Sequence, residues 1–208
     1  VHRLVVVRHG RTAWNAEHRF QGQADPPLDP TGEAQALSLV TEVTPLGPAV
    51  VLSSDLRRAR DTAAPLVAAT GAVWVTDPAL REVYLGGWEG LDHDQVRVRY
   101  PEEYAAWVAG RPVRRGGGET EAEAGSRAAA RMVDELAAWP DDATVAVVAH
   151  GLVLRAALAA LAADGVIELA GDAPHLGNGS WLALDAHPRP PRAGDAPLGR
   201  AHPPNTVS

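Results

Sequence analysis

The chain has 208 residues, 46% of them apolar and 22% charged, with a formal net charge of -7. That length suits one α/β domain with a real core, and because cysteine is absent and all 19 basic residues are arginine, thiolate nucleophiles, disulfides, Schiff bases and Walker-type phosphate loops are excluded. The acidic balance disfavours generic nucleic-acid binding, which needs clustered surface cations, and no apolar stretch approaches the roughly 20 residues of a membrane span.

The first predicted element is a buried strand, Leu4-Val5-Val6-Val7, running directly into Arg8-His9-Gly10. A cation and an imidazole there mark a candidate site, because open α/β sheets bind ligands outside the carboxyl ends of their strands. After the Gly10 turn, the spacing of Leu37, Leu39 and Val43 predicts a helix opened by Thr31-Gly32-Glu33, with Thr31 as its N-cap. A strand is expected over 49–53. Asp55 is then expected to cap a helix running past Ala63 and Leu66 towards Gly71, with Pro65 a break signal in its middle and Arg58 in its first turn. Val73-Trp74-Val75 reads as a further strand. Residues 80–118 are irregular apart from short helices near 94–99 and 102–108, and so long an excursion predicts a lid over about 83–118. A long helix from about Thr120 to Trp139 stops at Pro140. The strand at 144–149 feeds His150-Gly151 and an apolar helix, Leu152 to Ala162, after which Ser180 to Leu184 reads as the final strand. These elements make one domain over 1–185, followed by a proline-rich tail, 186–208, with too few large apolar residues for a core of its own.

If the runs ending at Val7, Leu52 and Ala149 are parallel neighbours, their ends gather Arg8, Arg58, His9 and His150. Two planar guanidiniums beside two imidazoles suit a phosphate dianion.

Four segments carry a family resemblance, in this order: Arg8-His9-Gly10-Arg11-Thr12-Ala13-Trp14-Asn15; Ser54-Asp55-Leu56-Arg57-Arg58-Ala59 with Thr62-Ala63; Leu80-Arg81-Glu82 before Gly86-Gly87-Trp88-Glu89-Gly90; and Ala149-His150-Gly151. Together they resemble the signature of the histidine phosphatase superfamily, the phosphoglycerate-mutase-like proteins. The resemblance implies a three-layer α/β/α sandwich with a mostly parallel central sheet and helices on both faces. It also implies that His9 is a nucleophile forming a phosphohistidine, that Arg8, Arg58 and His150 hold the phosphoryl oxygens, and that Glu82 donates the proton to the leaving group. Asn15, Gln21, Gly22, Gly151 and Leu152 fall at positions expected to meet phosphate or substrate.

Each role has a physical reason. Neutral imidazole is a competent nucleophile near pH 7, and a bond from one ring nitrogen to a backbone carbonyl aims the other at phosphorus. Phosphoryl transfer asks mainly for positioning and charge stabilisation. A carboxyl group can protonate the leaving alkoxide where an anionic substrate favours its protonated form. Glu89 lies close to Glu82 in sequence and competes for that role. Arg11, Arg57 and Arg60 are expected in salt bridges or in solvent. Arg111, Arg114 and Arg115 have two readings, contact with a second anionic group of the substrate or a solvated basic stretch. The remaining histidines lack ligand spacing such as His-Glu-x-x-His, so neither metal nor cofactor is expected.

Members of the superfamily divide into phosphatases, mutases and non-catalytic binders. Mutases resemble one another in a longer insertion after the Glu82 region, whereas here only about three dozen residues separate Glu82 from Gly118. A metal-independent phosphomonoesterase is therefore the leading expectation, with a phosphoglycerate mutase and a phospho-ligand binding protein as alternatives. Gln21-Gly22-Gln23, Ser53 to Ala59, Leu85 to Leu91 and Gly177-Asn178-Gly179-Ser180-Trp181 further resemble the glucosyl-3-phosphoglycerate phosphatase branch, which implies a sugar or glycerate phosphate as one candidate substrate, while a nucleotide or secondary-metabolite phosphate fits the same motifs. The expected partner is a small phosphorylated metabolite, with no nucleic acid and no membrane, and with a homodimer possible. The cytoplasm is the default location, since Val1-His2-Arg3 passes straight into the first strand without a leader-like apolar region.

Overall fold

The computed structural model describes residues 1–188. Its strands β1 (His2–Arg8), β2 (Pro48–Ser53), β3 (Val73–Thr76), β4 (Thr144–Ala149) and β5 (Trp181–Ala186) form one sheet in the order β3-β2-β4-β1-β5. Neighbours are parallel except β5, which runs antiparallel to β1. Every residue of β4 is buried, which is why that strand reads as an unbroken apolar run: it is covered on both faces.

The helices are α1 (Ala13–Ala16), α2 (Pro30–Val43), α3 (Arg57–Thr70), α4 (His93–Arg99), α5 (Pro101–Val108), α6 (Glu121–Ala138) and α7 (Gly151–Ala163). The twofold alternation of a strand sends Val5 and Val7 of β1 to one face, where they meet Leu39 and Val43 of α2 and Ala59, Ala63 and Leu66 of α3. Leu4 and Val6 point the other way, into a larger cluster with Met132 and Leu136 of α6 and Leu154 and Leu158 of α7. Burying each such leucine or valine contributes roughly 1.5–3 kcal/mol before entropic costs. The result is the expected three-layer α/β/α sandwich, and it sets the carboxyl ends of β2, β4 and β1 side by side.

Two expected caps are displaced. Helix α2 starts at Pro30 rather than after Thr31, because the Asp29 carboxylate accepts the Gly32 N–H at 2.8 Å and proline suits the first helical position. Thr31 instead accepts a bond from the Arg11 guanidinium at 2.8 Å. Asp55 does not cap α3 either. It takes the Arg81 guanidinium through both oxygens, at 2.8 and 2.6 Å, while the Arg57 N–H is met by the Asp25 carboxylate at 2.7 Å from another loop. Helix α3 passes through Pro65 and ends at Gly71, which adopts φ +68°. Arg58 lies in its first turn, as expected.

The excursion after residue 80 carries α4 and α5 near the predicted places. It is anchored by an aromatic cluster around Trp88, which is fully buried, with Phe20 at a ring separation of 5.1 Å and Trp107 at 5.9 Å. The Trp88 indole N–H donates to Glu103 at 3.0 Å, and the Gly116 N–H donates to the same carboxylate at 2.7 Å. At the other end of the chain the sheet keeps Ala186, buried and bridged to Ile167. Most of the proline-rich tail, from 189 onward, lies outside the described residues. Among the described residues no helix is long and apolar enough to cross a membrane.

Candidate active site

The site opens at the end of β1. Gly10 permits the turn there, since a Cβ on it would stand 2.4 Å from the Gly32 carbonyl oxygen, and its N–H donates to the Thr62 hydroxyl at 2.9 Å. His9 is 3% exposed, and its Nδ1 lies 2.7 Å from the Gly10 carbonyl oxygen. A carbonyl can only accept, so Nδ1 carries the proton and Nε2 keeps its lone pair. Burial, reinforced by the charges of Arg58 and Arg8, holds the His9 imidazole well below its ordinary pKa of 6.5 and therefore neutral.

Two guanidiniums flank this imidazole. Arg58 is completely buried and donates to the carbonyls of Ala24 at 2.7 Å and Gly22 at 2.8 Å, while its Nε has no partner among the described residues. Burial lowers its pKa to about 10, opposed chiefly by the Glu82 carboxylate, so it stays a cation at neutral pH. Arg8 donates to the Leu176 carbonyl at 2.7 Å, and its buried Nε is likewise unpartnered. Gly151 packs against it: a Cβ there would sit 3.2 Å from the Arg8 guanidinium carbon, so the glycine leaves room for the cation.

His150 ends β4 and occupies the cap position of α7, with no exposed surface. Its ring centroid is 5.1 Å from that of His9. Nε2 lies 2.9 Å from the Ser54 hydroxyl and Nδ1 has no partner. Burial and then Arg58, His9 and Arg8 push this histidine well below 6.5 too.

The Glu82 carboxylate accepts the N–H groups of Val83 at 2.9 Å, Val153 at 2.9 Å and Leu152 at 3.1 Å. Two of those donors belong to the first turn of α7, so the helix's partial positive end fixes the acid's position. Glu89 sits differently. Its carboxylate accepts from the Gln23 N–H at 2.8 Å and the Leu85 N–H at 3.1 Å, clamping the loop whose Gly22 carbonyl holds Arg58. A Cβ on Gly22, whose φ is +53°, would stand 2.2 Å from that carboxylate.

Nine of the ten residues expected at the site line one cleft of about 220 Å³: Arg8, His9, Asn15, Gln21, Gly22, Arg58, Glu82, Gly151 and Leu152. His150 stands behind its wall. All contacts of the Asn15 side-chain amide fall on its oxygen, from Thr12 and Asn178, which leaves its NH₂ for a ligand. Gln21 accepts the Thr12 hydroxyl at 3.0 Å.

Sequence reasoning gave no site role to the rest of the lining, Arg19, Phe20, Leu85, His175 and Leu176, nor to the supports Ser54, Thr62 and Asn178, although Leu85 and the three supports lie within the resembling segments. Asn178 donates to the His9 carbonyl at 3.2 Å; its place between two glycines just before β5 was the signal available for it. Arg11 and Arg57 pair with Asp29 and Asp61, as expected for salt-bridging residues. None of Arg111, Arg114 and Arg115 lines the cleft. Arg114 pairs with Glu123, whereas Arg115 is buried against Glu121 at 3.0 Å and so is not part of a solvated stretch.

This geometry agrees with what the chain resembles. The pattern of the histidine phosphatase superfamily, branch 1, matches residues 4–193. A glucosyl-3-phosphoglycerate phosphatase of Mycobacterium tuberculosis is 36% identical over 195 residues, covering 89% of this chain and 86% of its own. A solved mycobacterial glucosyl-3-phosphoglycerate phosphatase in complex with VO3 superposes with a TM-score of 0.78 at 34% identity, over 90% of this chain and 99% of that one. A probable phosphoglycerate mutase of Escherichia fergusonii is 44% identical, but over 93 residues, 45% of this chain and 43% of its own. The chain belongs to the histidine phosphatase superfamily.

Proposed function

We propose that this histidine phosphatase hydrolyses the phosphate monoester of a small phosphorylated metabolite through a phosphohistidine at His9. One observation carries the reading: His9 is neutral, with Nδ1 tied to the Gly10 carbonyl, in a cleft where His9 Nε2 and the buried guanidinium Nε–H groups of Arg8 and Arg58 have no partner among the described residues.

The Nε2 lone pair forms the bond to phosphorus as the bond to the leaving oxygen breaks, and Glu82 gives that oxygen a proton. Water then attacks the phosphohistidine. Glu82, now ionised, takes the water proton, the P–N bond breaks, its electron pair returns to Nε2, and inorganic phosphate leaves. Charge on the equatorial oxygens is met by Arg8 and Arg58, each worth about 4 kcal/mol at 4 Å for an effective dielectric near 20. The helix-end amides that hold Glu82 in place make its carboxylate available at one position for both steps.

The relative from M. tuberculosis supports a glucosyl-3-phosphoglycerate, or another sugar or glycerate phosphate, as the substrate. The mutase reading is weaker, because the likeness to the probable mutase spans less than half of the chain. A homodimer belongs to the same proposal, since superfamily members often pair.

A phosphate-release panel of sugar, glycerate, nucleotide and aryl monoesters from pH 4 to 8 tests the function. The expected result is release that EDTA leaves unchanged, fastest from the glycerate-containing esters. Bisphosphoglycerate-dependent interconversion of 2- and 3-phosphoglycerate outpacing hydrolysis would make the protein a mutase, and no release from any ester would leave a binding protein.

A further inference from the structure

Ser54 is buried at the end of β2, and its hydroxyl touches two groups. It accepts the Leu56 N–H at 3.3 Å and lies 2.9 Å from His150 Nε2. A hydroxyl has one proton to give, and among the described residues the acceptor within reach of this one is that imidazole nitrogen. If Nε2 were itself protonated, the Ser54 proton would be stranded in a dry interior, the costliest state for a polar group. Ser54 therefore donates, Nε2 accepts, and the imidazole proton sits on Nδ1.

That Nδ1 is one of five buried side-chain polar atoms without a partner among the described residues, and three of the five belong to Arg8, Arg58 and His150. In this assignment all three are N–H donors, and they come from residues gathered around His9 at the ends of β1 and β4 and the start of α3. Unpaired buried donors in a native fold call for an acceptor, and an anion supplies it. Burial, and then the charges of Arg58, His9, Arg8 and Arg127, oppose a second proton on the His150 ring.

From these contacts we infer that Ser54 sets the tautomer of His150, so that a neutral imidazole offers a fixed Nδ1–H to the transferring phosphoryl group. Ser54 is then a positioning residue. Two arginines carry the positive charge of the pocket, and the third donor is an uncharged hydrogen bond that strengthens as charge builds on the oxygen it meets. The inference rests on the phosphatase reading for the identity of the acceptor, while the tautomer itself is a property of the resting enzyme.

The test is a long-range ¹H–¹⁵N correlation spectrum of the full chain labelled at histidine, with the His150 signals assigned by their loss in His150→Gln. The expected spectrum shows a protonated Nδ1 and an unprotonated Nε2 in the free enzyme. An Nε2–H tautomer, or a doubly protonated ring, would overturn the inference even if no Ser54 variant folds. In Ser54→Ala the ring should gain Nε2–H character, and kcat for an aryl phosphate should fall about ten- to a hundredfold, the size of one charge-assisted hydrogen bond. An unchanged tautomer in that variant, or a changed tautomer with unchanged kcat, contradicts it. Failure of the phosphatase reading itself would show separately, as no phosphate released from any ester by the unsubstituted protein, and would leave the spectrum of the resting protein as it is.

Discussion

The floor of the cleft and its rim are built on different terms. The floor is made by side chains that are almost wholly buried: His9 at the end of β1, held by one carbonyl, Arg58 in the first turn of α3, held by two, and Glu82 in the loop after residue 80, whose carboxylate takes three amides. The rim is made by Arg19, Phe20, Leu85, His175 and Leu176, which come from loops and from the excursion packed on Trp88. A rigid floor can hold reacting atoms to the tolerance that phosphoryl transfer requires, whereas a rim whose side chains, Leu85 apart, are partly exposed changes readily without disturbing the sheet. On the proposed function, the chemistry is set at the strand ends and at Glu82, a loop residue tied to the α7 terminus, and the choice of ester by the side chains above them.

Substitutions can break or sharpen that division. The largest effect is expected at the floor. Glu82→Gln keeps the shape and removes the proton, so kcat/KM, which reports the steps up to the phosphohistidine, should fall about 10²- to 10⁴-fold for alkyl phosphates and much less for p-nitrophenyl phosphate, whose leaving group needs little help. Equal losses for both esters would remove Glu82 from the proton transfer. A smaller effect is expected at the rim. Phe20→Ala should change the ranking of substrates through KM, by about tenfold, while kcat for p-nitrophenyl phosphate stays within a fewfold, because the aromatic ring lines the cleft without holding any group of the floor. A uniform loss of kcat across the panel would show that floor and rim are not separable.

The remaining effect is on stability rather than on rate, and it too belongs to the floor. His9 and His150 have folded-state pKa values pressed well below 6.5, first by burial and then by neighbouring cations. Below pH 6.5 the unfolded chain binds protons that the folded chain does not, so stability falls as pH falls from 6.5 towards the depressed values. The slope approaches about 1.4 kcal/mol per pH unit for each group. Thermal unfolding between pH 7.5 and 5 measures it, and replacing both histidines with asparagine should flatten the curve. A Tm equally pH-dependent without them would assign the slope to other groups.

The parts of the molecule legible in the sequence are those whose physics is local. Strands β1 and β4 read as unbroken apolar runs because helices cover both their faces, and a cation and imidazole directly after such a run stand out. Helix starts were harder. Thr31 and Asp55 are reasonable caps by type, but Asp29 beside Pro30 forms the better start for α2, and the carboxylate meeting the α3 terminus is Asp25, which lies 32 positions away from Arg57. The supports of the site were hidden for the same reason. Thr62 meets Gly10 across 52 positions and Asn178 meets His9 across 169, and a lone threonine or asparagine carries no periodic signal for such a contact. Of the rim residues, Arg19, Phe20, His175 and Leu176 fall between motifs, and Leu85 lies in one without a side chain that signals chemistry.

The account turns on covalent transfer to His9. Mixing enzyme with a ³²P-labelled ester and quenching within a turnover should trap label on the protein that is stable in alkali, labile in acid, mapped to the peptide containing His9 and absent in His9→Ala, which should also release no phosphate. Hydrolysis at the wild-type rate by His9→Ala, or turnover with no trapped label at any quench time in a variant slowed at Glu82, would contradict it.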